Sequence, residues 1–400
     1  MKLKSTLAAL AILATPSLCL ALGMRIADQD AEATARGDAF VATADNPSAI
    51  YYNPAGISQL SGENLLLGTY GIYLQSKYTS AGQETRTKDQ PQAVPQIYYT
   101  YAIKDTPFTL GLGVYCPYGF GLSYPDSNPF RVFALKGSVE YLTVNPVISW
   151  KINKTLSVAA GMTVNYAEAD LAQGLAPFQG NRFQFKGTGA AVGFNLGVMW
   201  QPTPQHSFGV SYHSATSMDL HGTSTLAFAP TTLLQQHATS SDFTFPDFII
   251  GGYSYRPTPD WNFEADVDWT NWHDLKTVTL NQQVGAPVPL NFNWQSSFFY
   301  EFGATHYFAD NYHLSAGYIY SQDSVPTGSS FSPLIPDSAR HIFTTGIGWK
   351  KDRYSWDFAY EFAYGPPRTI VGASSTDGES VNGEYRYISH ALTISFGYHF

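Results

Sequence analysis

From Tyr354 to Tyr364 every even position is aromatic: Tyr354, Trp356, Phe358, Tyr360, Phe362 and Tyr364. The odd positions are Ser355, Asp357, Ala359, Glu361 and Ala363. A period of two predicts a strand, because a helix would scatter those rings around its circumference. The stretch Trp261 to Trp269 repeats the pattern. Trp261, Phe263, Ala265, Val267 and Trp269 share one face, and Glu264, Asp266 and Asp268 share the other. Eight steps at about 3.3 Å each span roughly 26 Å. With a tilt of about 40°, the two Trp sit near the two edges of an apolar band, as on a lipid-facing strand.

Fourteen such segments can be read along the chain, and the lengths of the links between them alternate. The short links include "KINK", "QPTPQ", "RPTPD", "ADN" and "KKDR", while those between are long. Tight turns at one end and long loops at the other predict an all-β fold: an antiparallel transmembrane β-barrel with periplasmic turns and external loops. The even strand count places both termini on the periplasmic side. In the last segment Ile388, Leu392, Ile394, Phe396, Tyr398 and Phe400 share one face, interrupted by His390. The closing Phe400 resembles the signal read by outer-membrane assembly machinery.

Composition agrees with a membrane wall. Charged residues are 13% of the chain, about half the roughly 25% of a soluble domain. Aromatic residues reach 15%, with 27 Tyr and 26 Phe. No segment beyond the start approaches the ~20 apolar residues of a membrane helix. The start itself reads as a signal peptide over residues 1–21, with Lys2 and Lys4 before an apolar run and cleavage after Ala21. Without those lysines the formal charge moves from −9 to −11, which argues against a nucleic-acid partner. Only Cys116 then remains, leaving no intrachain disulfide; it reads as a small apolar filler.

Residues 22–60 are different. They carry Ala27, Ala31, Ala33, Ala35, Ala39, Ala42 and Ala44, few large side chains, and "NPSAIYYNPAGISQL" at their end. Pro lacks the N–H that a ladder needs, so this stretch cannot add a strand to the wall. Fourteen strands enclose a lumen too wide for wall side chains to fill. A small-residue segment could plug it, or extend into the periplasm. The motif Asn53-Pro54-Ala55 within "ARGDAFVATADNPSAIYYNPAGISQLSG" resembles the N-terminal hatch of the FadL/TodX family of outer-membrane transporters. "FTLGLGVYCPYGFGL", "VEYLTVNPVISWKIN", "FNLGVMWQPTPQHSFGVSYHS" and "ADVDWTNW" resemble further strands of that family, in order from about Leu22 to Phe400.

The resemblance implies a hatch over residues 22–60 inside a barrel over 61–400. It implies uptake of hydrophobic compounds, long-chain fatty acids first, with aromatic hydrocarbons as the alternative. A ligand is collected outside, held in an apolar pocket against the hatch, and released sideways into the membrane where the third strand kinks. Asn53, Pro54, Ala55 and Gly56 are the expected hatch residues, with the Asn53 side chain bonded to the wall. Pro117, Gly119 and Gly121 are expected to shape the gap, since Pro removes a ladder donor and Gly permits a bend. A fatty-acid carboxylate needs a cation, and Arg25, Arg36 and Arg131 are the candidates. Leu226, Phe228, Leu233 and Leu234, in an unusually apolar external loop over 220–243, are a candidate capture surface. A barrel with a sideways exit works as a monomer.

Catalysis finds little support. Glu264, Asp266 and Asp268 lie on one strand, whereas paired hydrolytic carboxylates flank a bond from separate elements. The ten His show no His-x-His or His-x-x-x-His spacing, so no metal or other cofactor is expected. A general diffusion porin is the remaining rival; it shares the barrel but keeps a water-filled lumen.

Overall fold

The computed structural model describes residues 24–176, 178–229, 233–328, 330–372 and 379–400. The expected signal peptide lies outside them. The wall begins with β1 (Glu63–Ser80), β2 (Gln92–Ala102), a divided β3 (Phe108–Tyr115 and Gly119–Ser123), β4 (Lys136–Lys151) and β5 (Leu156–Gly174). It continues with β6 (Arg182–Thr203), β7 (His206–His213 and Thr216–Phe228), β8 (Leu233–Phe245 and Phe248–Thr258) and β9 (Trp261–Thr270). Last come β10 (Ser297–Tyr307), β11 (Tyr312–Ser321), β12 (Arg340–Lys351), β13 (Tyr354–Ile370) and β14 (Gly383–His399). Each pairs antiparallel with its neighbours, and β1 closes on β14 from Asn64↔His399 to Thr79↔Glu384. The result is a closed fourteen-stranded barrel.

Alternation decides which way each side chain points. On β9, Trp261, Phe263 and Val267 are exposed on the outer wall, whereas Glu264, Asp266 and Asp268 are buried inside. On β13, Tyr354, Phe358 and Tyr364 face out and Ala359, Glu361 and Ala363 face in. Two different solvents, lipid outside and a polar interior inside, impose this period of two.

One connection departs from the expected loop. Residues 216–228 and 233–245 are paired strands, from Thr216↔Phe245 to Phe228↔Leu233. The stretch 220–243 read as a loop is mostly strand, with Leu220 and Phe243 buried. A second hairpin was not foreseen: Thr277–Gln282 pairs with Val288–Asn291 in the connection between β9 and β10. It buries Val278 and Leu280 over the barrel mouth, beside the packed pair Trp272 and Trp294, 4.9 Å apart.

Candidate functional site

Inside the wall, residues 24–60 fold as α1 (Ala31–Ala35), α2 (Ala49–Tyr52) and a 3-10 turn (Pro54–Gln59). Their small side chains let the backbone lie against the wall. The chain turns at Gly37, with φ of 65°, beside Gly303 of β10 and Gly317 of β11. A methyl group on either wall glycine would overlap the backbone of Arg36 or Gly37. Asn53 caps the 3-10 turn by accepting from Ala55 N–H at 3.2 Å, with Pro54 in the first position. Its Nδ2 donates to Val198 O on β6 at 3.0 Å and to Val41 O within the hatch at 2.8 Å. Ala55 offers its carbonyl to Ser149 of β4. Gly56 packs against Ala44.

The carboxylates of β9 hold the opposite side. Asp266 accepts from Phe40 N–H and Val41 N–H at 2.8 and 2.9 Å. Glu264 accepts from Ala42 N–H and Thr43 N–H at 2.7 and 3.1 Å, and from the Thr43 hydroxyl and Arg36. Asp268 pairs with Arg25, whose guanidinium also lies 3.7 Å over the Phe248 ring. The row of acids on one strand face is thus a clamp for successive hatch N–H groups. Its period-two spacing was visible in the sequence; its partners were not.

The start of the hatch meets the break in β3. The β2–β3 ladder runs only from Ala102↔Thr109 to Ile97↔Val114. Above it, Gly119–Ser123 pairs with β4 alone. Residues Met24 to Gln29 lie across that break. Ile26 N–H donates to Pro117 O at 2.9 Å, and Gly119 N–H donates to Met24 O at 2.7 Å. Gln29 Nε2 donates to Cys116 O at 2.9 Å, while Gln96 of β2 donates to Asp28 O at 2.7 Å. Gln92 Nε2 spans the gap to Gly121 O at 2.7 Å. Pro117 and Gly119 therefore sit at the seam itself, and Gly121 sits just above it.

Two apolar spaces lie on the outer side of the hatch. A groove of about 250 Å³ opens between Phe133, Phe183, Leu290, Phe331 and Ile335. An inner pocket of about 20 Å³ lies below it, among Met24, Phe185, Leu220, Phe243 and Phe245. The inner space has room for little more than one water-sized sphere, so it is nearly filled by its own side chains. By contrast, the periplasmic recess of about 490 Å³ is lined by Glu32, Asp45, His313, Lys350, Arg353 and Asp357. It is larger, but its charges suit water rather than a hydrocarbon.

The expected ligand cations are placed elsewhere. Arg25 and Arg36 are bound to β9, and Arg131 is held by Asp126 and the carbonyls of Leu175, Phe178 and Asn181. None of the three lines either apolar space. The expected capture residues fall on paired strands of the β7–β8 hairpin. Leu226 packs against the core from the β7–β8 hairpin, Phe228 pairs with Leu233 in its backbone register, and the side chains of Leu233 and Leu234 lie outside the described residues. The groove is shared between wall strands, which carry Phe120, Leu171 and Phe183, and the connections that carry Phe133, Leu280, Leu290, Phe292, Phe331 and Ile335.

Asp30 links the hatch to the closing strand. It accepts from Asn46 Nδ2 and from the Ser395 hydroxyl, each at 2.7 Å. Burial, reinforced by Asp357 and Glu32, pushes its pKa up to about 7 against those hydrogen bonds. The folded chain therefore keeps a proton that the unfolded chain releases near pH 4, so stability falls as pH rises from about 4 to 7. Asp30→Asn is expected to make that decline shallower, by at most about 4 kcal/mol over the window. Unfolding temperatures of the two proteins across this range test it; parallel curves would remove Asp30 as a source.

Comparison with known proteins places this architecture. The long-chain fatty acid transport protein of Escherichia coli is 20% identical over 414 residues, spanning 90% of this chain and 89% of its own. A FadL homologue from Pseudomonas aeruginosa has the same fold, with a TM-score of 0.84 at 18% identity, covering 94% of this chain and 100% of its own. The toluene transporter TodX from Pseudomonas putida gives 0.76 at 17% identity, covering 95% and 100%. The family model for outer membrane protein transport protein (OMPP1/FadL/TodX) matches residues 12–400, and the chain belongs to that family of outer-membrane transporters of hydrophobic compounds.

Proposed function

We propose that this barrel takes hydrophobic molecules from its outer groove to the pocket at Met24 and releases them sideways through the β2–β3 break. The observation that carries this reading is the seat of residues 24–29, hydrogen-bonded across that break with Met24 in the apolar pocket. The segment does the work of a missing ladder partner, and withdrawing it would open the wall between Gln92 and Tyr118. Sideways release keeps the cargo out of water, where each exposed CH₂ costs about 0.8 kcal/mol. The charged periplasmic recess argues against a straight path. A diffusion porin fits poorly, since the hatch fills the lumen with buried side chains. The residue roles follow: Asn53 to Gly56 anchor the hatch, and Pro117 with Gly119 forms the seam that it seals.

Uptake of labelled hydrophobic compounds by cells lacking their own importer, with and without this protein, tests the reading. Uptake above the empty cells is expected. An Asn53→Ala, Pro54→Ala double variant that still assembles is expected to alter that rate by loosening the hatch. An unchanged rate would count against hatch movement.

A further inference from the structure

We infer that the cargo is uncharged, and that Phe120, Leu171, Leu280 and Phe292 form the neck that selects for it. This rests on the transport reading above and narrows its substrate class. Those four side chains line both the outer groove and the inner pocket, so a molecule moving between the two passes among them.

No charged residue lines either space among the described residues. The polar groups are neutral: Gln173, Asn291, Ser330 and Ser332 in the groove, and Ser241 in the pocket. A carboxylate entering the neck would lose its water without gaining a partner, a large penalty, whereas a hydrocarbon or an alcohol would not. The Phe rings add to this, because their faces carry negative charge density.

Nearby cations are not available to repair the loss. Arg25 keeps Nε without a partner, but its other nitrogens are bound by Asp268, Thr270 and Tyr51 and it lines neither space; Arg131 is bound by Asp126 and carbonyls. Arg36 keeps Nε and Nη1 without partners, but it faces Glu264 on the far side of the hatch and lines neither space. Arg368 stacks 5.8 Å from the Phe331 ring, yet its N–H groups donate to the carbonyls of Val325 and Asp337, with Asp323 beside it. Arg182 adjoins Phe183 on β6 and so points to the opposite face of that strand.

A pair of probes differing only in the head group tests this: labelled dodecanol and dodecanoate, at about pH 8 where the acid is ionised. Importer-deficient cells carrying the full chain are compared with cells lacking it. Dodecanol is expected to enter at least about tenfold faster than dodecanoate, each after subtraction of the empty-cell rate. Gln173→Arg, at a half-exposed position on the groove wall, is expected to raise dodecanoate entry and leave dodecanol nearly unchanged. Equal entry of both probes would overturn the uncharged-cargo inference while leaving hydrophobic transport intact. Faster entry of the acid would overturn it likewise. Entry of neither probe, with the folded barrel present in the membrane, would overturn the transport reading together with the inference.

Discussion

Replacing Glu264 and Asp266 together with Ala is expected to detach the middle of the hatch without dissolving the barrel. The two carboxylates accept four consecutive backbone N–H groups, from Phe40 to Thr43. Each buried donor left without an acceptor costs about 1–3 kcal/mol. The double variant should therefore lose several kcal/mol of local stability, partly offset because two buried charges disappear as well. Every wall ladder remains, so heat-resistant migration of the barrel should persist. Amide exchange at Phe40 to Thr43 is expected to speed up by at least about a hundredfold, the equivalent of roughly 2.7 kcal/mol. Glu264→Gln with Asp266→Asn keeps an acceptor oxygen at each site and should recover much of the protection. Exchange as slow as in the parent protein would show that the clamp contributes little, and that the hatch is held by its fit to the wall.

Tethering the first hatch residues to the seam is expected to stop transport. Ile26 and Cys116 belong to one apolar cluster with Tyr70, Ile72 and Val94, and the Ile26 N–H is bonded to the residue after Cys116. An Ile26→Cys variant puts a second thiol in the cluster against which Cys116 packs. The Cys116 thiol is half-buried in the membrane wall, so a small, membrane-permeable oxidant is the suitable reagent. Oxidation should form the disulfide and reduce hydrophobic uptake to the level of cells without the protein. A reductant should restore it. The parent protein, which has no thiol at position 26, controls for damage by the oxidant. Full uptake through a barrel shown to be cross-linked would place the exit somewhere other than the β2–β3 break.

Much of the wall was legible along the chain. Strands β9 and β13 could be read from alternation alone, because each must satisfy lipid on one face and a polar interior on the other. The apolar stretch 220–243 misled for an instructive reason. Its alternation is diluted by Gly222 and by hydroxyl residues at inward positions such as Ser224 and Thr239, so the loop prediction missed a β-hairpin. The hairpin over 277–291 escaped notice because its strands are short and its apolar residues meet Leu220, Phe243 and Phe245 of the β7–β8 hairpin, remote in sequence. Arg25, Arg36 and Arg131 were sensible carboxylate partners by residue type. Only their neighbours reveal that Asp268, Glu264 and Asp126 already occupy them.

By itself the sequence determined the barrel: its period of two, the number of strands, the short and long ends, and an opening segment unable to join the sheet. These are local consequences of backbone geometry and of the two media that each strand separates. The tertiary structure decided which groups meet inside. Phe40 to Thr43 reach Glu264 and Asp266 across more than 220 residues of chain. Phe120, Leu171, Leu280 and Phe292 converge from separate connections and strands. No local pattern encodes such meetings, because they depend on barrel closure and on the path of the hatch across the lumen.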